Sequence, residues 1–179
     1  TLFYRYPPKL PDDEQATTMQ DAIEQMLSRQ GYHHYETSAF AQPGKEAQHN
    51  LNYWLFGDYL GIGAGAHSKI SFADKIIRQM RYKQPKEYLL QSQSGASLVQ
   101  THQELSNADR AFEFMMNVLR LNEGVPSEFY QQRTGLPLSS IAATVEKLQQ
   151  QQLLIEDPER LACTEKGHLF LNSVLEEFL

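Results

Sequence analysis

His49-Asn50-Leu51-Asn52-Tyr53-Trp54, followed closely by Asp58-Tyr59-Leu60-Gly61-Ile62-Gly63-Ala64-Gly65-Ala66-His67-Ser68, is the stretch on which the reading of the fold turns. Its first part sets an imidazole and two amides beside the only tryptophan of the chain. A histidine next to large aromatic rings suits a metal or a flat aromatic ligand, and glycines without a Cβ let main chain approach closely. The expected local structure is a helix over 46–55, then a strand over 59–63 that ends in the turn Ala64-Gly65-Ala66.

The spacing Gly61-x-Gly63-x-Gly65 is not the dinucleotide fingerprint, whose third glycine lies one residue further on and opens a helix. Two readings of it stay open: a tight strand exit where backbone must pack against backbone, or a strand end open to a nucleotide or cofactor at the C-terminal edge of a parallel sheet.

Toward the N-terminus, Asp12-Asp13-Glu14 starts a helix whose apolar positions Ala16, Met19, Ala22, Ile23, Met26 and Leu27 recur at helical spacing, with Gly31 as its stop. Residues 32–41 read as a strand ending at Pro43-Gly44. His33 and His34 then face opposite sides and cannot form a simple ligand pair. Helix, strand, helix, strand is the order of an α/β layer. The chain opens on Thr1-Leu2-Phe3-Tyr4-Arg5-Tyr6-Pro7-Pro8, without a cap or polar tail, and reads as part of a longer polypeptide.

Toward the C-terminus, residues 74–105 are expected to be irregular, with a short helix near 85–91. The basic run Lys75, Arg78, Arg81, Lys83 and Lys86 reads as a solvated face in preference to an anion site. A domain boundary is placed between 105 and 106. A helix begins at Asn107 with an apolar face of Ala111, Phe112, Met115, Met116, Val118, Leu119 and Leu121. Pro126 opens a second helix, Thr134-Gly135-Leu136-Pro137 stops it, and 138–152 forms a third. Leu153-Leu154-Ile155 and Leu161-Ala162-Cys163 flank the turn Asp157-Pro158-Glu159-Arg160, and a last helix starts at Thr164. That order is winged-helix-like. The expected class is therefore α/β plus α+β.

Composition narrows the function. The chain has 179 residues, 41% of them hydrophobic and 21% charged, which is ordinary globular content. No stretch approaches the roughly 20 apolar residues that span a bilayer, and the expected location is cytoplasmic. Cys163 is the only cysteine, so neither an internal disulfide nor a cysteine-ligated cluster can be built from this chain. Net charge is -6, and the excess of acid lies after residue 105. Lys147 is the one cation in the helix of 138–152, so nucleic acid is not the expected partner. No Gly-x-Ser-x-Gly or His-Glu-x-x-His motif occurs, which leaves hydrolase chemistry without a foothold.

At His49-Asn50-x-x-Tyr53-Trp54 and at Gly61 to Ser68, the chain resembles the HemW-type haem chaperones, relatives of oxygen-independent coproporphyrinogen III oxidase. Tyr35-Glu36-Thr37-Ser38-Ala39-Phe40-Ala41, Thr134-Gly135-Leu136 and Thr164-Glu165-Lys166-Gly167 fall in the family's order, so the likeness covers nearly the whole chain. It implies a radical S-adenosylmethionine protein, in which residues 1–105 are the C-terminal portion of an incomplete α/β barrel and 106–179 a helical C-terminal domain. The family's Cys-x-x-x-Cys-x-x-Cys motif is absent, so the 4Fe-4S cluster is expected only in the full-length parent.

Carried over by position, His49 is the candidate ligand to haem iron, Asn50, Tyr53 and Trp54 belong to the haem site, and Gly61, Gly63 and Gly65 lie near S-adenosylmethionine. No catalytic side chain is assigned. The expected function is haem binding and delivery to recipient haem proteins. The rival readings are a coproporphyrinogen oxidase and a winged-helix interaction module. On helical spacing, Asn50, Tyr53 and Trp54 can equally serve as wall packing. Self-association through strand edges near 32–41 is expected as well.

Overall fold

The computed structural model describes residues 2–179. They fall into two compact units that divide between Glu46 and Ala47.

The first unit opens with a single helical turn, α1 (Leu2–Arg5), and the long helix α2 (Asp13–Arg29). A capping box starts α2: the Asp12 carboxylate accepts from the Gln15 N–H at 2.9 Å, and the Gln15 side chain accepts from the Asp12 N–H. The expected single strand over 32–41 is instead an antiparallel hairpin, β1 (His33–Glu36) and β2 (Ala39–Ala41), because the chain reverses at Thr37-Ser38, ahead of Pro43-Gly44. His34 stacks on Phe40, with ring centroids 4.3 Å apart, while His33 is exposed.

The second unit begins with α3 (Gln48–Trp54) and continues into an antiparallel sheet of β3 (His67–Ser71), β4 (Ile76–Arg81) and β5 (Val99–Glu104), in that spatial order. Helix α4 (Pro85–Ser94) joins β4 to β5, with Pro85 in its first turn and Gly95 as its left-handed stop. Two expectations fail here. The segment 74–105 is not irregular: two strands and a helix fill it, and the long cationic side chains of β4 find partners within the fold, as shown below. Residues 59–63 do not form a strand, because Gly63 (φ 101°) and Gly65 (φ 72°) turn the chain through left-handed backbone, leaving only a bridge from Tyr59 to Lys69. Every strand pair among the described residues is antiparallel.

Helix α5 (Asn107–Val118) follows, capped by Ser106 and Asp109. Then come β6 (Val125–Pro126), α6 (Glu128–Thr134), a 3-10 turn (Leu138–Ser140), α7 (Ala142–Gln150), β7 (Arg160–Leu161), α8 (Glu165–Leu169) and α9 (Leu171–Glu176). Strand β7 pairs with β6, and Leu154 bridges Cys163 across the turn at 157–160. The core is built from Phe114, Met115, Val118, Leu119, Tyr130, Leu148 and Val174, all fully buried. Met116, expected on the apolar face of α5, points outward instead. Burial of these side chains is the main stabilising term of the unit.

Candidate functional site

Helix α3 is short, and side chains three and four residues apart share a face, so tertiary contacts must hold it. Leu51, Trp54 and Leu55 pack against the core, with α5 as the neighbouring helix. That leaves His49 exposed on the first turn. The His49 ring meets Tyr53 edge-on at 4.8 Å, and Tyr53 meets Tyr59 edge-on at 4.5 Å. The Tyr59 hydroxyl accepts a hydrogen bond from Arg78 Nη1, and the Arg78 guanidinium also pairs with Glu113 of α5, through Nε at 2.9 Å. Burial pushes the Tyr59 phenol up, against the neighbouring positive charge of Arg78. A ladder of rings therefore runs from an exposed imidazole to a half-buried ion pair.

The four residues expected to form one haem site divide between two faces. His49 and Tyr53 stay together. Trp54 turns toward the core, where the Arg120 guanidinium lies 4.3 Å from its ring centroid. The Trp54 Nε1 is buried and has no hydrogen-bond partner among the described residues. Asn50 is half-buried.

At the ladder of glycines, a Cβ on Gly61 would stand 2.2 Å from the His67 carbonyl oxygen, so this position needs glycine for backbone packing alone. The Gly61 N–H donates to Ser68 Oγ at 2.9 Å, and its carbonyl accepts from Arg81 Nε at 3.3 Å. Open space surrounds Gly63. The Gly65 N–H donates to the Tyr82 carbonyl at 2.9 Å.

Sequence reading passed over the turn that follows α3. Phe56 sits at φ 55°, its carbonyl accepts from Lys69 Nζ at 3.0 Å, and Lys69 also donates to Asp58 Oδ1 at 2.9 Å and Ser71 Oγ at 3.1 Å. Only 1% of the Lys69 surface is exposed. For Asp58, partial burial works against ionisation, but the Ser71 N–H and the Lys69 ammonium outweigh it and hold the carboxyl below its usual range. Burial pushes the Lys69 ammonium down as well. A lone lysine between Ser68 and Ile70 was the only hint available, and nothing local ties it to residues 56 and 58.

The donor chemistry separates the two expected iron groups. The His49 imidazole is exposed and makes no hydrogen bond among the described residues, so its donor chemistry is compatible with haem iron. A cluster does not fit this chain. Cys163 is buried and its thiol is pushed up to about 12, and no group of three or more His, Cys, Asp or Glu among the described residues is arranged to hold a metal.

Against known proteins, the chain is 43% identical over its whole length to the haem chaperone HemW of Haemophilus influenzae, and 41% identical to that of Escherichia coli. The likeness to the HemW haem chaperones runs along the whole of this chain. Residues 105–170 match the HemN C-terminal domain family. The chain spans about half (46%) of the length of each of those two HemW relatives. Among solved structures it resembles the coproporphyrinogen III oxidase (HemN) of Escherichia coli, described as a radical SAM enzyme, with a TM-score of 0.66 at 19% identity over 94% of this chain and 42% of that one. That likeness speaks for a shared mixed α/β fold. In this HemW-like chain no described helix is long and apolar enough to cross a membrane.

Proposed function

We propose that this chain carries the haem-receiving face of a haem chaperone, in which His49 would hold the haem iron and Tyr53 would support the ligand. The single observation that carries the reading is the exposed His49 imidazole, free of hydrogen bonds among the described residues and backed by Tyr53 and Tyr59. Neutral imidazole supplies a σ-donor to haem iron, and Tyr53 and Tyr59 limit the orientations open to the imidazole. An exposed ligand can be exchanged for one on a recipient haem protein, which is what delivery requires. The naming of the relatives as haem chaperones supports the same reading.

In this reading residues 1–105 are the C-terminal portion of a radical-SAM barrel and 106–179 a winged-helix-like domain, an assignment supported by the fold likeness and by the order α5, α6, α7 and hairpin. S-adenosylmethionine, with Gly61, Gly63 and Gly65 in its vicinity, and a 4Fe-4S cluster belong to the whole protein. A cytoplasmic setting, where the lone Cys163 stays reduced, is part of the proposal.

The test is a titration of ferric haem into the chain and into its His49→Ala variant. A His-ligated Soret band that is lost in the variant is the expected result, and superimposable spectra would remove His49. Turnover of coproporphyrinogen by the full-length parent would replace the chaperone reading with the oxidase one.

A further inference from the structure

Lys69 grips both sides of the turn between α3 and Tyr59. Its main chain pairs with Tyr59 in both directions, Tyr59 N–H to Lys69 carbonyl at 3.0 Å and Lys69 N–H to Tyr59 carbonyl at 3.1 Å. Its side chain runs back under the turn, so that the ammonium bonds the Phe56 carbonyl, Asp58 Oδ1 and Ser71 Oγ. An ammonium has three protons, and each has an acceptor here. The same ammonium lies 3.9 Å from the centroid of the Phe56 ring, which meets Phe114 in the core.

The opposite side of the turn is tied as firmly. The Asn52 amide donates to the Asp58 carbonyl at 3.0 Å, and the Gly57 N–H donates to the Asn52 carbonyl at 2.7 Å. Ser71 donates both its N–H and its hydroxyl to the Asp58 carboxylate, at 2.9 and 2.8 Å. The left-handed conformation of Phe56, uncommon for a bulky residue, is held where the lysine takes its carbonyl. A buried charge with a full set of acceptors is costly to assemble and rigid once assembled.

We infer that Lys69, through Asp58 and the Phe56 carbonyl, is a positioning residue for the haem ligand: it sets the angle at which α3 leaves the sheet, and so where Tyr59 backs Tyr53 and Tyr53 backs His49. This rests on the haem reading of His49. Lys69 itself touches none of these rings through its side chain. Its effect on the ligand passes through the turn and the ring ladder, as a partner behind a ligand orients it in a metal site.

The test compares the chain with its Lys69→Met and Asp58→Asn variants in two measurements, below the melting temperature of each. One is the NMR chemical shift of the His49 ring protons in the haem-free protein, which the Tyr53 ring displaces only when the two rings keep their edge-on geometry. The other is ferric haem affinity from the Soret band. The expected result is that both variants lose the displacement of the His49 protons and bind haem roughly tenfold more weakly, as loss of a partner behind a metal ligand does. Lower melting temperature with unmoved His49 protons and unchanged affinity in either folded variant would reduce Lys69 to a stabilising residue and overturn the inference. The haem-free proton shift decides the positioning role even where His49→Ala leaves haem spectra unchanged, so the inference and the haem reading fail separately.

Discussion

The Arg120 guanidinium covers the Trp54 indole, at 4.3 Å from its centroid, and so commits the only tryptophan of the chain to packing between α3 and the end of α5. A stacked cation contributes about 0.5–2 kcal/mol, and the indole adds apolar contact with the core.

Replacing Trp54 with Phe therefore destabilises the second unit by roughly 1–2 kcal/mol. Ferric haem affinity is expected to stay within about twofold of the parent, since Trp54 lies off the His49 face. Chemical denaturation and a Soret titration measure the two effects. A large loss of haem affinity at unchanged stability would return Trp54 to the binding site.

Gly61 gives a second separation of packing from ligand binding. An Ala at that position drives its Cβ into the His67 backbone, where no side chain can move aside. Overpacking of this kind costs about 1–3 kcal/mol, and Gly61→Ala is expected to lower the stability of the ligand-free chain by that much. If Gly61 served only close approach of a cofactor, ligand-free stability measured by denaturation would not move.

Legibility in the sequence followed how local each interaction is. Helix α2 shows its capping residue Asp12 and its stop at Gly31, and Gly135 marks the end of α6 in left-handed backbone, so these limits could be read from neighbours in the chain. The sheet could not. Arg78 in β4 looks solvated until its partners are known, and those stand 19 residues before it at Tyr59 and 35 after it at Glu113. Helical spacing grouped Tyr53 with Asn50 and Trp54, and the structure sets it against His49. That Trp54 leaves their face depends on Arg120 and the core, which no local pattern contains.

Helix α2 buries none of its residues, and Met19, Ile23 and Met26 along it are 55%, 51% and 67% exposed. Apolar side chains in one row favour association with a second copy of the chain. Sedimentation is expected to show concentration-dependent self-association that the double substitution Ile23→Glu, Met26→Glu abolishes. A monomer at every concentration would contradict this.

The Asp58 carboxylate contributes to the acid limb of stability in the second unit. Although partial burial opposes it, the Ser71 N–H, the Lys69 ammonium and the Ser71 hydroxyl together depress its folded pKa below the unfolded value. The sign follows: the unfolded chain takes up the proton first, so the contribution is complete above the usual carboxylate range and disappears as pH falls through the depressed folded value. Asp58→Asn leaves Lys69 buried without a counter-charge. The cost at neutral pH is on the order of 2 kcal/mol, below that of a fully buried pair because the Asp58 side chain keeps 45% of its surface in water. The gap in stability between parent and variant is expected to be constant near neutrality and to close as acid protonates Asp58. Denaturant titrations across that range check it, and a gap that persists below the carboxylate range would mean that the carboxylate charge is not what holds the turn.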